Sequence, residues 1–106
     1  MNATTLFDTI KQELIPVYHP EKIYIFGSYA TETPNPESDV DILVIVKSSE
    51  ERAHLRPIPG RHALRNLAIP KDLMVFTEEE FNARCNHVSE LAYIVKHTGK
   101  LIYASA

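Results

Sequence analysis

At 106 residues with 44% apolar content, the chain can build one modest core but not two. Eleven Lys and Arg against fourteen Asp and Glu leave a net charge of −3, which argues against an extensive nucleic-acid surface. No basic-then-apolar leader or membrane-length apolar run is present, and a lone cysteine, Cys85, rules out an internal disulfide and suits a reducing, cytoplasmic setting.

The elements follow in chain order. Leu6, Ile10 and Leu14, with Phe7 alongside, predict an amphipathic helix over Thr4–Ile15 that Pro16 should end. Glu21–Phe26 predicts a strand, followed directly by Gly27-Ser28, a short turn and the Pro-rich stretch Thr33-Pro34-Asn35-Pro36. Val40–Val46 is a β-branched, buried strand. Ser48-Ser49-Glu50-Glu51 has the form of a capping box, predicting a helix that Pro57 should stop. Ile58-Pro59-Gly60 should then break the chain before a further helical stretch, Arg61–Ala68. A third strand is expected over Leu73–Phe76. A second capping box, Thr77-Glu78-Glu79-Glu80, opens a helical pattern running through Leu91, Ile94 and Val95 to Gly99. Lys100–Tyr103 suits a short closing strand. There are no repeats or low-complexity tracts.

Asp39-Val40-Asp41 stands at the mouth of the second strand, where aspartate is disfavoured. Alternation puts both carboxylates on one face, roughly 6–7 Å apart. Like charges held that close call for a cation, and a pair of Mg²⁺ ions about 3.5–4 Å apart would relieve the repulsion. Taken alone, Asp-x-Asp reads equally well as two solvated acids at a strand end. Gly27-Ser28 after a strand can cradle a phosphate with backbone N–H groups and the Ser28 hydroxyl, although by itself such a pair is usually just a turn. Ten residues separate Ser28 from Asp39, and that spacing joins the two signals. Asp72 leads the third strand as Asp39 and Asp41 lead the second, so adjacent pairing would gather three carboxylates, with Asp72 able to ligate a metal or act as a base.

Gly27-Ser28, the ten-residue spacer, Asp39-Val40-Asp41 and the later Asp72 together resemble the minimal nucleotidyltransferase (MNT) domain of the DNA polymerase beta superfamily. The resemblance spans nearly the whole chain and implies one domain over 1–106. The implied fold is of the α/β (α+β) class, with a small mixed sheet of three to four strands flanked by helices. It also implies transfer of a nucleoside monophosphate from an NTP to a hydroxyl with release of pyrophosphate. By carry-over, Gly27 and Ser28 hold the β and γ phosphates, Asp39 and Asp41 bind two Mg²⁺ ions, and Asp72 completes the site for the metal that activates the acceptor. Stand-alone domains of this size resemble the antitoxins of MNT–HEPN toxin–antitoxin systems, which imply ATP as donor and a tyrosine of a HEPN-type toxin partner as acceptor. A small-molecule acceptor, or a partner-binding module that keeps the fold without turnover, are the alternative readings.

Other classes fit less well. Phosphatases of the haloacid-dehalogenase type and many glycosyltransferases also use Asp-x-Asp, but their apolar strand precedes the acids. A receiver-like module needs a lysine after a later strand that this chain lacks. Arg52, Arg56, Arg61, Arg65 and Lys71 form a basic segment without a single acid, able to meet a triphosphate or an acidic partner surface. His19, His54, His62, His87 and His97 show no metal-ligand spacing. Tyr29, next to the phosphate turn, is expected to pack the loop, and Tyr93 and Tyr103 to serve the core or an interface.

Overall fold

A computed structural model describes residues 3–30, 39–84 and 91–105. The Pro-rich stretch 33–36, Cys85 and His87 lie outside the described residues, as does the Ser28 side chain. Four strands form one sheet in the order β3-β2-β1-β4, with β1 at Lys22–Phe26, β2 at Val40–Val46, β3 at Lys71–Thr77 and β4 at Lys100–Ala104. β1 runs antiparallel to both β2 and β4, while β2 and β3 are parallel. The sheet is therefore mixed, and its central strand β2 is buried on both faces, which is why Ile42–Val46 is an unbroken apolar run.

Helices α1 (Ala3–Tyr18) and α2 (Pro57–Ala63) cover one face, α3 (Glu78–Arg84) and α4 (Leu91–Thr98) the other. Period-two alternation divides the core accordingly. Ile23, Ile25, Val40, Ile42, Val44, Leu73 and Val75 meet Leu6, Ile10 and Leu14 of α1. Tyr24, Phe26, Leu43 and Ile45 meet Phe81, Ala92 and Val95. Among the described residues no helix is long and apolar enough to cross a membrane.

Three expectations are corrected. Pro16 lies inside α1 rather than ending it, because its φ suits a helix and its missing N–H forfeits only one bond near the C-terminus. The helix instead stops at His19, which turns to φ 47° and donates its N–H to the Ile15 carbonyl at 2.9 Å, with Pro20 just beyond. Ser48–Glu51 starts no helix: the Ser49 hydroxyl accepts the Glu51 N–H at 3.1 Å in a local turn. Pro57 consequently opens α2 instead of closing an earlier helix, and Pro59 and Gly60 lie inside α2. Both prolines occupy the first turn, where no N–H partner is required. Gly60 lets α2 press close, since a Cβ there would come within 2.6 Å of the Tyr18 hydroxyl.

The second capping box forms as the sequence suggests. Glu80 accepts the Thr77 N–H at 2.8 Å and donates its own N–H to the Thr77 hydroxyl at 3.2 Å.

Candidate active site

β2 and β3 start together, and their parallel register sets Asp41 opposite Asp72. Asp41 shares the parity of Leu43 and Ile45, and Asp72 that of Met74 and Phe76, so both carboxylates belong to the α3/α4 face. Asp39 precedes β2 by one residue on the same parity and is exposed. The antiparallel register brings Phe26 opposite Asp41. Gly27 consequently emerges from β1 beside that acid.

Gly27 adopts φ 74°, a left-handed backbone that favours glycine. A Cβ here would collide with the Asp41 Oδ2, so the turn and the acid are in direct apposition. Gly27–Tyr29 forms a 3₁₀ turn closed by the Ala30 N–H on the Gly27 carbonyl at 3.1 Å. Such a turn leaves its leading N–H groups without acceptors of its own.

Burial pushes the Asp41 carboxyl above the ordinary carboxylate value, and the negative charges of Asp72 and then Asp39 push it further. Asp41 thus feels the charge of both other acids. Among the described residues, however, no group of three His, Cys, Asp or Glu closes around a single point where an ion could sit. An open set of carboxylates fits Mg²⁺ nevertheless, because Mg²⁺ uses one or two carboxylates and completes its shell with substrate phosphates and water. All three donors are hard oxygens, and the repulsion at Asp41 is the kind that a cation relieves.

The basic segment divides. Arg56 bonds to Glu80 at 2.6 Å and, through Nε, to the Glu51 carbonyl at 3.0 Å. The Lys71 ammonium donates to the Leu67 carbonyl at 3.0 Å, and Arg65 to the His62 carbonyl at 2.9 Å. Arg56 and Lys71 therefore serve the fold, while Arg52 and Arg61 remain exposed. Tyr29 packs against the α1-side core, as its place beside the turn suggests. Tyr93 lies against His97 along α4, with ring centroids 4.2 Å apart and the planes tilted by 40°. The close fit of Gly27 to Asp41 was not visible beforehand, since only the register across β1 and β2 creates it.

The family model of the nucleotidyltransferase domain matches residues 7–101, and the chain belongs to that family. Among solved structures it is similar to a Sulfolobus solfataricus protein described as a candidate nucleotidyltransferase, with 21% identity, TM-score 0.67, and coverage of 96% of this chain and 83% of that one. A chain of a toxin–antitoxin structure with AMP-PNP is 20% identical at TM-score 0.63, covering 99% of this chain and 75% of the other. A chain of a MntA–HpeT toxin–antitoxin mutant with two Asp→Glu replacements is 19% identical at TM-score 0.59, with the same coverages of 99% and 75%. At these identities the structural likeness speaks for the fold. No curated protein matches the chain.

Proposed function

We propose that this nucleotidyltransferase domain transfers AMP from ATP to a tyrosine hydroxyl of a HEPN-type toxin partner, releasing pyrophosphate. The observation that carries the reading is the β2–β3 register that sets Asp72 against Asp41, with Asp39 and the Gly27 turn alongside. The likeness to chains from two toxin–antitoxin structures, one of them with AMP-PNP, supports the choice of partner and nucleotide.

In this reading the N–H groups of the Gly27–Ser28 turn hold the β and γ phosphates against the mouth of β2. Asp39, Asp41 and Asp72 would hold two Mg²⁺ ions, which when bound neutralise phosphate charge and sharpen the acceptor hydroxyl. Asp72, exposed at the start of β3, receives the proton of the acceptor hydroxyl. The acceptor oxygen forms its bond to the α phosphorus as the bond to the pyrophosphate oxygen breaks.

The test is co-expression with a neighbouring HEPN-type protein, followed by incubation with Mg²⁺ and ATP. Pyrophosphate release and a partner tyrosine heavier by one AMP are expected. Asp39→Asn and Asp41→Asn should each lower the rate at least a hundredfold, and variants behaving like the wild type would overturn the catalytic reading.

A further inference from the structure

The two edges of the sheet differ. On β3, Leu73 and Val75 are only 2% and 3% exposed, the Val75 carbonyl accepts Arg56 at 3.4 Å, and the Thr77 N–H is bound to Glu80 at 2.8 Å. That edge is closed. On β4, Lys100, Leu101 and Ala104 are exposed, Leu101 at 47% although it is a large apolar residue on a strand. An uncovered row of strand N–H and C=O groups is a template for a further strand.

Register fixes which groups of β4 are unpaired. The Val40 N–H donates to the Pro70 carbonyl at 2.9 Å, so Val40, Ile42 and Val44 bond toward β3, and Asp41, Leu43 and Ile45 toward β1. Ile23 and Ile25 are then left to bond with Tyr103 and Lys100 of β4. Leu101 and Ala104 therefore direct their N–H and C=O groups outward. A bulge inserts Ile102 between these pairs, so that Ile102 and Tyr103 both pack against the α1-side core. Lys100 is on the same face, its ammonium 5.4 Å from the centre of the Phe7 ring, and so is Ser105, whose hydroxyl donates to Glu21 at 3.2 Å. Leu101 and Ala104 stand opposite Tyr24 and Lys22, on the α3/α4 face.

From Lys100 to Ser105 the faces run α1, α3/α4, α1, α1, α3/α4, α1, the same from either end. An antiparallel copy centred between Ile102 and Tyr103 sets Lys100 across from Ser105, Leu101 across from Ala104 and Ile102 across from Tyr103. Every such pair shares a face, and Leu101 and Ala104 exchange their outward hydrogen bonds. Glu21, bound to Ser105, stands where the Lys100 of the other copy arrives, so two pairs of opposite charge flank the two-fold axis. We propose that β4 pairs with β4 of a second copy, joining two four-stranded sheets into one of eight strands. The lysine that would otherwise blunt this edge is laid on Phe7, and the bulge, often a defence against edge pairing, is what makes this edge self-matching. The contact is short, so the association is weak. The acids lie at the Lys100 end of each sheet, which leaves the two candidate active sites open at opposite ends of the pair.

This pairing does not depend on nucleotidyl transfer, and it is read by association alone. Sedimentation of the whole chain from about 10 μM to about 1 mM should show a reversible monomer–dimer equilibrium, with the amide resonances of Leu101 and Ala104 shifting most over the same range. Ala104→Pro removes an outward N–H and none from the ladder with β1. It should abolish the dimer while the circular dichroism of the monomer stays as in the wild type. Lys100→Glu and Glu21→Lys should each weaken self-association roughly fivefold or more. An equimolar mixture of those two variants should recover it, because each mixed pair again sets opposite charges across the axis, which a mere loss of fold in either variant would not allow. A chain that stays monomeric at about 1 mM, a dimer that survives Ala104→Pro, or a mixture that associates no better than its components would each overturn the proposal.

Discussion

Gly27 meets two demands at one position: a left-handed backbone and the absence of any atom where the Asp41 carboxylate lies. Gly27→Ala should cost about 1 kcal/mol of stability from the φ alone, read by urea unfolding. Its larger effect is a shift of Asp41, so nucleotidyl transfer should fall at least tenfold in a protein that still folds. Asp41 itself opposes folding in the absence of a cation. Its folded-state pKa lies above the unfolded value of 3.8, so the folded chain binds that proton more readily than the unfolded one. The penalty is absent below 3.8, grows through the interval up to the raised value and is complete above it. In chelator, Asp41→Asn should therefore melt higher than the wild type at pH 7, the gain vanishing toward pH 3.5. Equal melting at pH 7 would show that the charge repulsion is relieved some other way.

At the scale of elements, Thr77 and Glu80 fasten β3 to α3, and Phe76 and Phe81 flank the cap as a hydrophobic staple. The same Glu80 oxygen takes the Arg56 guanidinium, whose side chain is only 9% exposed. Glu80→Ala removes the carboxylate half of the capping box, keeping the Thr77 hydroxyl on the residue-80 N–H, and leaves a buried cation with backbone carbonyls alone, a loss of about 2–3 kcal/mol by denaturant titration. Arg56 also holds the Glu80 carboxyl below its usual value of 4.5. The ionic share of the loss should be full above 4.5 and disappear as pH falls through the lowered folded-state value. Thr77–Glu80 was legible because cap, staple and strand end coincide. Ser48–Glu51 has the same spacing and also follows a strand, but Lys47 and Arg52 stand where a staple needs apolar residues, and the Ser49 hydroxyl offers Glu51 a competing turn. Pro16 and Pro57 misled for one reason: proline costs a helix little near an end, and spacing alone does not show on which side of the proline the end lies.

At the scale of the molecule, the four strands were readable from apolar runs and the punctuation between them, while the mixed sheet was an implication of the resemblance to the nucleotidyltransferase domain. The convergence of Asp41 and Asp72 was readable too, because acids heading two strands meet whenever those strands pair in parallel. The self-matching edge of β4 was not, since it depends on the bulge at Ile102, which only the pairing with β1 creates. Strict alternation over Lys100–Ala104 would put Ile102 on one face with Ala104 and apart from Tyr103.

The parallel pairing of β2 with β3 has a kinetic side. β1 and β2 are antiparallel neighbours in sequence, whereas β3 reaches β2 only after residues 47–70 have crossed the sheet. Closing that crossover costs chain entropy before any strand contact repays it. Asp41 and Asp72 therefore have no fixed relation until this late, non-local step is complete. A nascent or partly unfolded chain has the Gly27 turn and Asp39-Val40-Asp41 within local reach but not the apposed third acid, so completion of the acidic cluster waits on completion of the sheet.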